Sequence, residues 1–549
     1  MKKFKKLLIA TLCLSFCLST VMVGAGCGMT EIEDDDKRPA VNIKGFNGGY
    51  GIEWLETIAK DFNKAYPDNA YKVAVIDAKD TFETIYGEVQ TNVNSYDMFM
   101  SNGDIHRLID KGLLEDVSDV WSATPTGSDK SMNEMLANAD LYSQAYGRGD
   151  KRYAIPWQES IRTLVYDHEL FMQLGFLFKE GSTKDSYQFI TSKTDALSVG
   201  KDGIAGTYDD GHPETETQWE AMYQKIMQSG LYGVIYTGEN SWYTNDLYYM
   251  LTAQYDGDAF NLHYTMEDGY DFDGDGTVED DEKLPEYGYK LISLGGAEKA
   301  IQFMDKYFGI KQGETNKKVY PDSTNLGYSH KDAQADFIYN TAKQNQQKRS
   351  AFLVEGDWWE NEAKQVFNAL TEEKYTGYDF RQHDYRFMTL PILDGQKGTG
   401  NTYVLGDSMY IGIVERSAQD KKEICKEFLK FALQPKYIRN FTVVSGGVMP
   451  YDVQFENADY EQMSSFTKNF LSLYHDPKNT IVRTTVLDVA SDWKKSGGHS
   501  ITSMGAGQDW IILNALYKGT AEACYQAIKK DNETNWATYV AGYNNYINK

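Results

Sequence analysis

The chain has 549 residues, 41% of them hydrophobic, and a net charge of −25. That length exceeds what a single core organises and fits two large lobes, while the acidic balance argues against nucleic acid and against direct docking on anionic lipid. Beyond residue 27 the only cysteines are Cys425 and Cys524, in helical patterns that suit small buried hydrophobes; with no C-x-x-C or His-rich spacing, a zinc site is not expected.

The N-terminus reads as an export signal. Lys2, Lys3, Lys5 and Lys6 precede an apolar run from Leu7 to Val23, and small residues follow in Gly24-Ala25-Gly26-Cys27. The run is short for a membrane span, which needs about 20 apolar residues. An uncleaved anchor, or plain secretion with unmodified Cys27, are the alternatives. The last four residues resemble the cleavage box of bacterial lipoproteins, with Gly24 where that family usually has Leu. The resemblance implies a signal peptide over 1–26, lipid on Cys27, and the protein held on the outer face of a Gram-positive-type cell membrane. Without the four lysines the mature chain carries about −29, from 51 basic and 80 acidic residues. Residues 27–40, rich in Glu, Asp, Lys and Arg, are too charged to bury and read as a tether.

From there strands alternate with helices. Val41–Phe46 reads as a strand, Gly48–Gly51 as a loop, and Ile52–Tyr66 as a helix with Ile52, Leu55, Ile58 and Phe62 at helical spacing. Tyr71–Ile76 is a second strand, Thr81–Val93 a helix, Tyr96–Ser101 a third strand, and Ile105–Gly112 a helix closed by glycine. This order predicts an α/β lobe with a largely parallel sheet, whose ligands sit beyond the carboxyl ends of the strands, at Asn47–Tyr50, Asp77–Asp80 and Ser101–Asp104.

Two acidic loops follow. Gly200–Gly211 holds Asp202, Asp209 and Asp210 without a fixed ligand template, so a second cation there stays open. Asp271–Glu282 has carboxylates at positions 1, 3, 5 and 12 of the calcium-loop pattern, Gly276 at 6 and Val278 at 8. Calcium takes roughly six to eight hard oxygens, and this spacing wraps Asp271, Asp273, Asp275, the Thr277 carbonyl and bidentate Glu282 round one point. The flanks His263–Gly269 and Leu284–Tyr289 lack paired amphipathic helices, so a structural staple is expected rather than a signalling switch, with a solvated acidic loop as the alternative.

Aromatic residues reach 14%, with 40 Tyr, 25 Phe and 10 Trp, many beside Asn, Asp and Gly in turn-rich stretches. Rings beside amides and carboxylates suit sugars, because a ring face covers the C–H face of a pyranose and polar groups take its hydroxyls. Filling of large cores is the plainer explanation for most of them.

FNGGYGIEWLETIAKDFNKAYPD (Phe46–Asp68), YDMFMSNGDIHRLIDKGLLEDVSDVW, RYAIPWQESIRTLVYDHELF (Arg152–Phe171), AFLVEGDWWENEA (Ala351–Ala363), EICKEFLKFALQPKYIRNF and VVSGGVMPYD occur in the order found in extracellular solute-binding proteins of ABC importers, carbohydrate type, which the chain resembles over most of Val41–Lys549. The resemblance implies a two-lobed periplasmic-binding-protein-like α/β fold with discontinuous lobes and a hinge. Lobe one would be 41–155 with 390–433, and lobe two 156–389 with 434–549, the latter carrying the acidic loops. It implies a cleft drawing on Asn47, Tyr50, Asp77, Asn102, Asp104, Trp157, Gln158, Glu159, Trp242 with Asn240 and Tyr243 beside it, Asp357, Trp358, Trp359, Glu360, Asp407 and Ser445. Trp358 and Trp359 point about 100° apart if helical, so only one faces the cleft squarely.

The implied function is capture of a carbohydrate and its delivery to ABC permease subunits, with no bond made or broken. A secreted calcium-dependent glycoside hydrolase would share the rings, the acidity and the calcium; no segment resembles a hydrolase active-site strand, and there is no G-x-S-x-G elbow or phosphate loop. A surface adhesion module would account for the calcium loop alone.

Overall fold

The computed structural model describes residues 36–78, 80–240, 242–266, 269–314, 316–321, 327–345, 347–396, 402–491 and 512–547. Residues 1–39 form a unit of their own, of which only 36–39 are described; the signal, Cys27 and most of the tether lie outside the described residues. The second unit is Ala40–Lys549.

That unit begins as the alternation predicts. β1 (Ala40–Phe46) and β2 (Lys72–Ala78) pair in parallel, and β1 also pairs in parallel with β3 (Met98–Ser101). The helix Glu53–Ala65 between the first two buries Trp54, Leu55, Ile58, Ala59 and Phe62, one stripe of a 3.6-residue period. The next, Phe82–Thr91, is capped by the Thr81 hydroxyl and stopped at Asn92 in a left-handed conformation.

After a short hairpin, β4 (Gly147–Arg148) with β5 (Lys151–Arg152), comes the organising strand of the molecule, β6 (Ala154–Asp167), buried along all 14 residues. β7 (Tyr232–Ile235), β8 (Val319–Tyr320), β9 (Ser350–Gly356), β10 (Tyr385–Met388), β11 (Thr402–Ile413) and β12 (Thr480–Val482) complete the set. The sheet order is β2-β1-β3-β11-β6-β9-β7-β8, with β10 against β6 and β12 against β11. The first half of β6 pairs antiparallel with β11, from Ala154 against Gly412 to Ile161 against Leu405. Its second half, from Arg162 onward, pairs antiparallel with β9 and β10. One strand thus serves two sheet regions, buried on both faces along its length, with its polar side chains Gln158, Glu159, Ser160, Arg162 and Thr163 enclosed where the two regions meet.

The apolar interior divides the same way. One cluster takes in Val41 to Trp157, then Tyr243, Trp358, most of Met409–Tyr451 and Val486; the other begins at Ile161, takes in Leu390, Leu393, Tyr403, Val443 and Val448, and continues from Met463 to Tyr539. This gives a two-lobed α/β fold with discontinuous lobes. Two boundaries fall elsewhere than the sequence division placed them. Leu390, Leu393 and Tyr403 pack with the second core rather than the first, so the return crossing lies within β11. Tyr437, Ile438 and Phe441, on the helix Pro435–Ser445, pack with the first core, while Val443 on the same helix and Val448 pack with the second and Met449 and Tyr451 with the first, so this stretch runs along both cores rather than changing lobe at 434. The periodicity of that helix shows which face is apolar; it does not show which core the face meets.

Candidate functional site

Four segments converge where the lobes meet. The loop after β1 turns through Gly48, Gly49 and Gly51, all in left-handed backbone, with the Tyr50 amide donating to the Asn47 carbonyl at 2.8 Å. Gly49 is required for a second reason: a Cβ there would lie 2.6 Å from Cδ1 of Trp358. The Tyr50 hydroxyl donates to Oδ2 of Asp357 at 2.9 Å, and Asn361 Nδ2 donates to the Gly49 carbonyl at 3.0 Å. Asp357 Oδ1 accepts the Ile161 amide at 3.0 Å, which ties the turn after β9 to the middle of β6.

The Trp358 ring stands edge-on to Tyr50 (centroids 6.1 Å apart, 63°) and to Tyr243 (5.8 Å, 83°). Beneath both lies the buried guanidinium of Arg162, 4.9 Å from the Trp358 centroid and 5.3 Å from that of Tyr243, paired with Asp246. On the outer side His330 stacks on Tyr243 at 6.4 Å, bonds Asn240 Nδ2 through Nδ1 at 3.2 Å, and faces Glu362 at 3.5 Å. The asparagine amide donates there, so Nδ1 of His330 accepts. Burial pushes the Asp357 carboxyl up to about 7 against the opposing pull of the Tyr50 hydroxyl and the Ile161 amide. Tyr50, Tyr243, Trp358 and Asp357 are 2, 6, 5 and 1% exposed, so these rings and this carboxyl form a closed seam between segments far apart in the chain.

The residues expected at the cleft divide into two groups. Tyr50, Asp357 and Trp358 come together, with Asn47 and Asn240 half-buried at the margin. Asn102 is exposed, and Asp104 caps the following turn by accepting the His106 amide at 3.1 Å. Asp77 is exposed within β2, which runs to Ala78, so it is a strand residue rather than a loop residue. The side chains of Trp242 and Asp407 lie outside the described residues; the backbone of Asp407 pairs with Ser160.

The remaining residues are enclosed with partners of their own. Trp157 packs on Trp54 at 5.6 Å in the first core. Gln158 is buried, and Glu159 is fully buried against Arg483, Tyr142 and Tyr474. Trp359 sits in the second core among Phe337, Phe367, Tyr385 and Phe466. Glu360 accepts the Ser464 hydroxyl at 2.6 Å, with burial pushing its carboxyl up to about 7. Ser445 closes its helix, donating to the Phe441 carbonyl at 2.7 Å and accepting from Gly447 at 3.1 Å.

Three contributors escaped the sequence reading: Arg162, Asn361 and His330. Arg162 had a signal, being the one cation of β6; the other two had none.

The acidic loop folds round its own carboxylates. Asp271 Oδ1 and Oδ2 accept the Gly274 and Gly276 amides at 2.6 and 2.8 Å, and Glu282 Oε1 accepts the Phe272 amide at 2.6 Å. Carboxylate oxygens of Asp271, Asp273 and Asp275 lie within 4.8 Å of one another, as do those of Asp273, Glu279 and Glu282. Thr277 donates to Asp275 at 2.7 Å. The flanks are a one-turn helix at Leu262–Thr265 and a 3-10 segment at Gly288–Ser293, not a helix pair. In the other loop, Asp209 accepts the Lys201 and Asp202 amides at 2.7 and 3.1 Å, so the loop satisfies it internally; burial, then the Asp202 charge, push it up to about 6.

The family model for bacterial extracellular solute-binding proteins matches residues 57–461. No curated protein matches in sequence. Among solved structures, a chitin oligosaccharide binding protein aligns with a TM-score of 0.56 at 13% identity, over 91% of this chain and 99% of that one. Apo RafE from Streptococcus pneumoniae aligns at 0.52 and 15% identity, over 90% and 97%. RafE in complex with raffinose aligns at 0.51 and 15%, over 89% and 98%. At these identities the likeness is one of fold. No described helix is long and apolar enough to cross a membrane.

Proposed function

This chain belongs to the bacterial extracellular solute-binding protein family, and from that premise we propose that it captures a sugar or oligosaccharide between its lobes and delivers it to the permease of an ABC importer. The observation that carries the reading is the ring cluster of Tyr50, Trp358 and Tyr243, where a loop of the first lobe meets a turn of the second. The three rings are packed on one another, so a sugar stacking on them would part the seam, which would link lobe opening to capture, each stacked ring adding about a kcal/mol. RafE with raffinose and the chitin oligosaccharide protein, alike in fold, support a carbohydrate as the ligand class.

The test is a panel of oligosaccharides, raffinose and chito-oligosaccharides included, read by calorimetry and thermal shift, with the sugar recovered and weighed. Binding with intact sugar supports the proposal. Shortened sugar would favour the hydrolase, and no binding across the panel would defeat the carbohydrate reading.

Two further parts rest on sequence pattern. Lipid on Cys27 would hold the protein at the membrane, so Cys27→Ala is expected to move it from the membrane fraction to the medium. Calcium on Asp271, Asp273, Asp275, Thr277 and Glu282 would act as a staple, since unneutralised carboxylates this close repel.

A further inference from the structure

Glu159 stands where the chain passes between the lobes, and the neighbouring crossings all reach it. On its own strand, Trp157 belongs to the first core and Ile161 to the second. Opposite it on β11 is Ser408, between Tyr403 of the second core and Met409 of the first. Its amide donates to the Val448 carbonyl at 3.0 Å, and Val448 and Met449 again belong to different cores. Arg483 lies between Val482 of the second core and Val486 of the first.

The carboxylate is saturated by donors from both lobes. Oε1 accepts the hydroxyl of Tyr142, on the first-lobe helix Ala139–Ala145, and Nε of Arg483 at 2.5 Å. Oε2 accepts the hydroxyl of Tyr474, on the second-lobe helix Ser465–His475, and Nη2 of Arg483 at 3.2 Å. Glu159 is 0% exposed. Burial, and next the Glu159 charge, raise both phenols far above their ordinary range, so both remain donors.

A buried carboxylate loses heavily when any of its donors is withdrawn. A rotation of the lobes about a distant axis would pull Tyr142 away from Tyr474. A rotation passing through Glu159 keeps all four donors in place. We propose that the Tyr142–Glu159–Arg483–Tyr474 knot is the pivot of the molecule, clamping the crossing strands together and fixing the axis about which the lobes turn. The inference rests on the two-lobed fold and not on the identity of the ligand.

Hydrogen exchange of the full chain, resolved by peptide, tests it in two double variants. Tyr142→Phe/Tyr474→Phe removes only the two hydroxyls; Glu159→Gln/Arg483→Met removes the charges. In both, peptides over residues 154–161, 402–412 and 480–486 are expected to exchange at least about tenfold faster, while those over β1–β2 and β7–β8 keep their rates. Wild-type rates at the crossings would overturn the proposal, as would equal acceleration of all peptides, which means general destabilisation. Should the charge variant fail to fold, the tyrosine variant decides alone.

Discussion

Trp358 and Trp359 are neighbours with unlike surroundings. Trp359 is walled in by four rings of the second core, whereas Trp358 reaches the first-lobe loop and the Arg162 guanidinium. Trp359→Ala is therefore expected to cost about 3–5 kcal/mol of stability, seen as a lower Tm, with little change in sugar affinity while the protein stays folded. Trp358→Ala is expected to weaken binding of the preferred glycan at least about tenfold in calorimetry; unchanged affinity would remove Trp358 from the site. The carboxyls of Asp357 and Glu360, pushed up to about 7 by burial, predict a pH effect. Both hold their protons more tightly in the folded state than in the unfolded one. Stability from these groups is therefore greatest below about pH 4 and declines toward pH 7, by roughly 3–4 kcal/mol apiece. Asp357→Asn should flatten the fall in Tm between pH 4 and 7, and an unaltered profile would show that Asp357 does not titrate there.

Among the elements, those specified by local pattern were legible. Leu55, Ile58 and Phe62 of the expected stripe are buried on the helix Glu53–Ala65, with Ile52 at its N-cap, and the strands around it stand where the alternation put them, because each is decided within a few residues of chain. Trp157, Gln158 and Glu159 were expected at the cleft; on β6, which is buried along its whole length, all three are enclosed. The acidic loop carries its own prediction. Calcium should raise the Tm of the wild-type protein, and Asp271→Ala/Asp273→Ala should abolish that rise; a double variant that still responds would place any calcium elsewhere.

For the whole molecule, ligand that bridges Tyr50 of one lobe and Trp358 of the other should favour the closed arrangement. Small-angle scattering is expected to give a smaller radius of gyration with the bound glycan than without, and no change would mean that capture does not involve closure. The order of loose motifs along the chain was enough to indicate the family and the two-lobed plan. It did not place the late crossings, because the helix Pro435–Ser445 has an apolar face that either core accommodates.

The sequence by itself determined the alternation of strands and helices, the acidic surface, the family, and the carboxylate spacing of the loop at Asp271. These are properties of neighbouring residues or of their order. Only the tertiary structure decided that Trp358 rather than Trp359 meets Tyr50, that Arg162 lies beneath the rings, and that Glu159 is shared by two tyrosines and an arginine from distant segments. Most of these contacts join residues far apart in the chain, such as Tyr50 with Asp357, 307 positions on, and no local period encodes which partner a buried side chain meets.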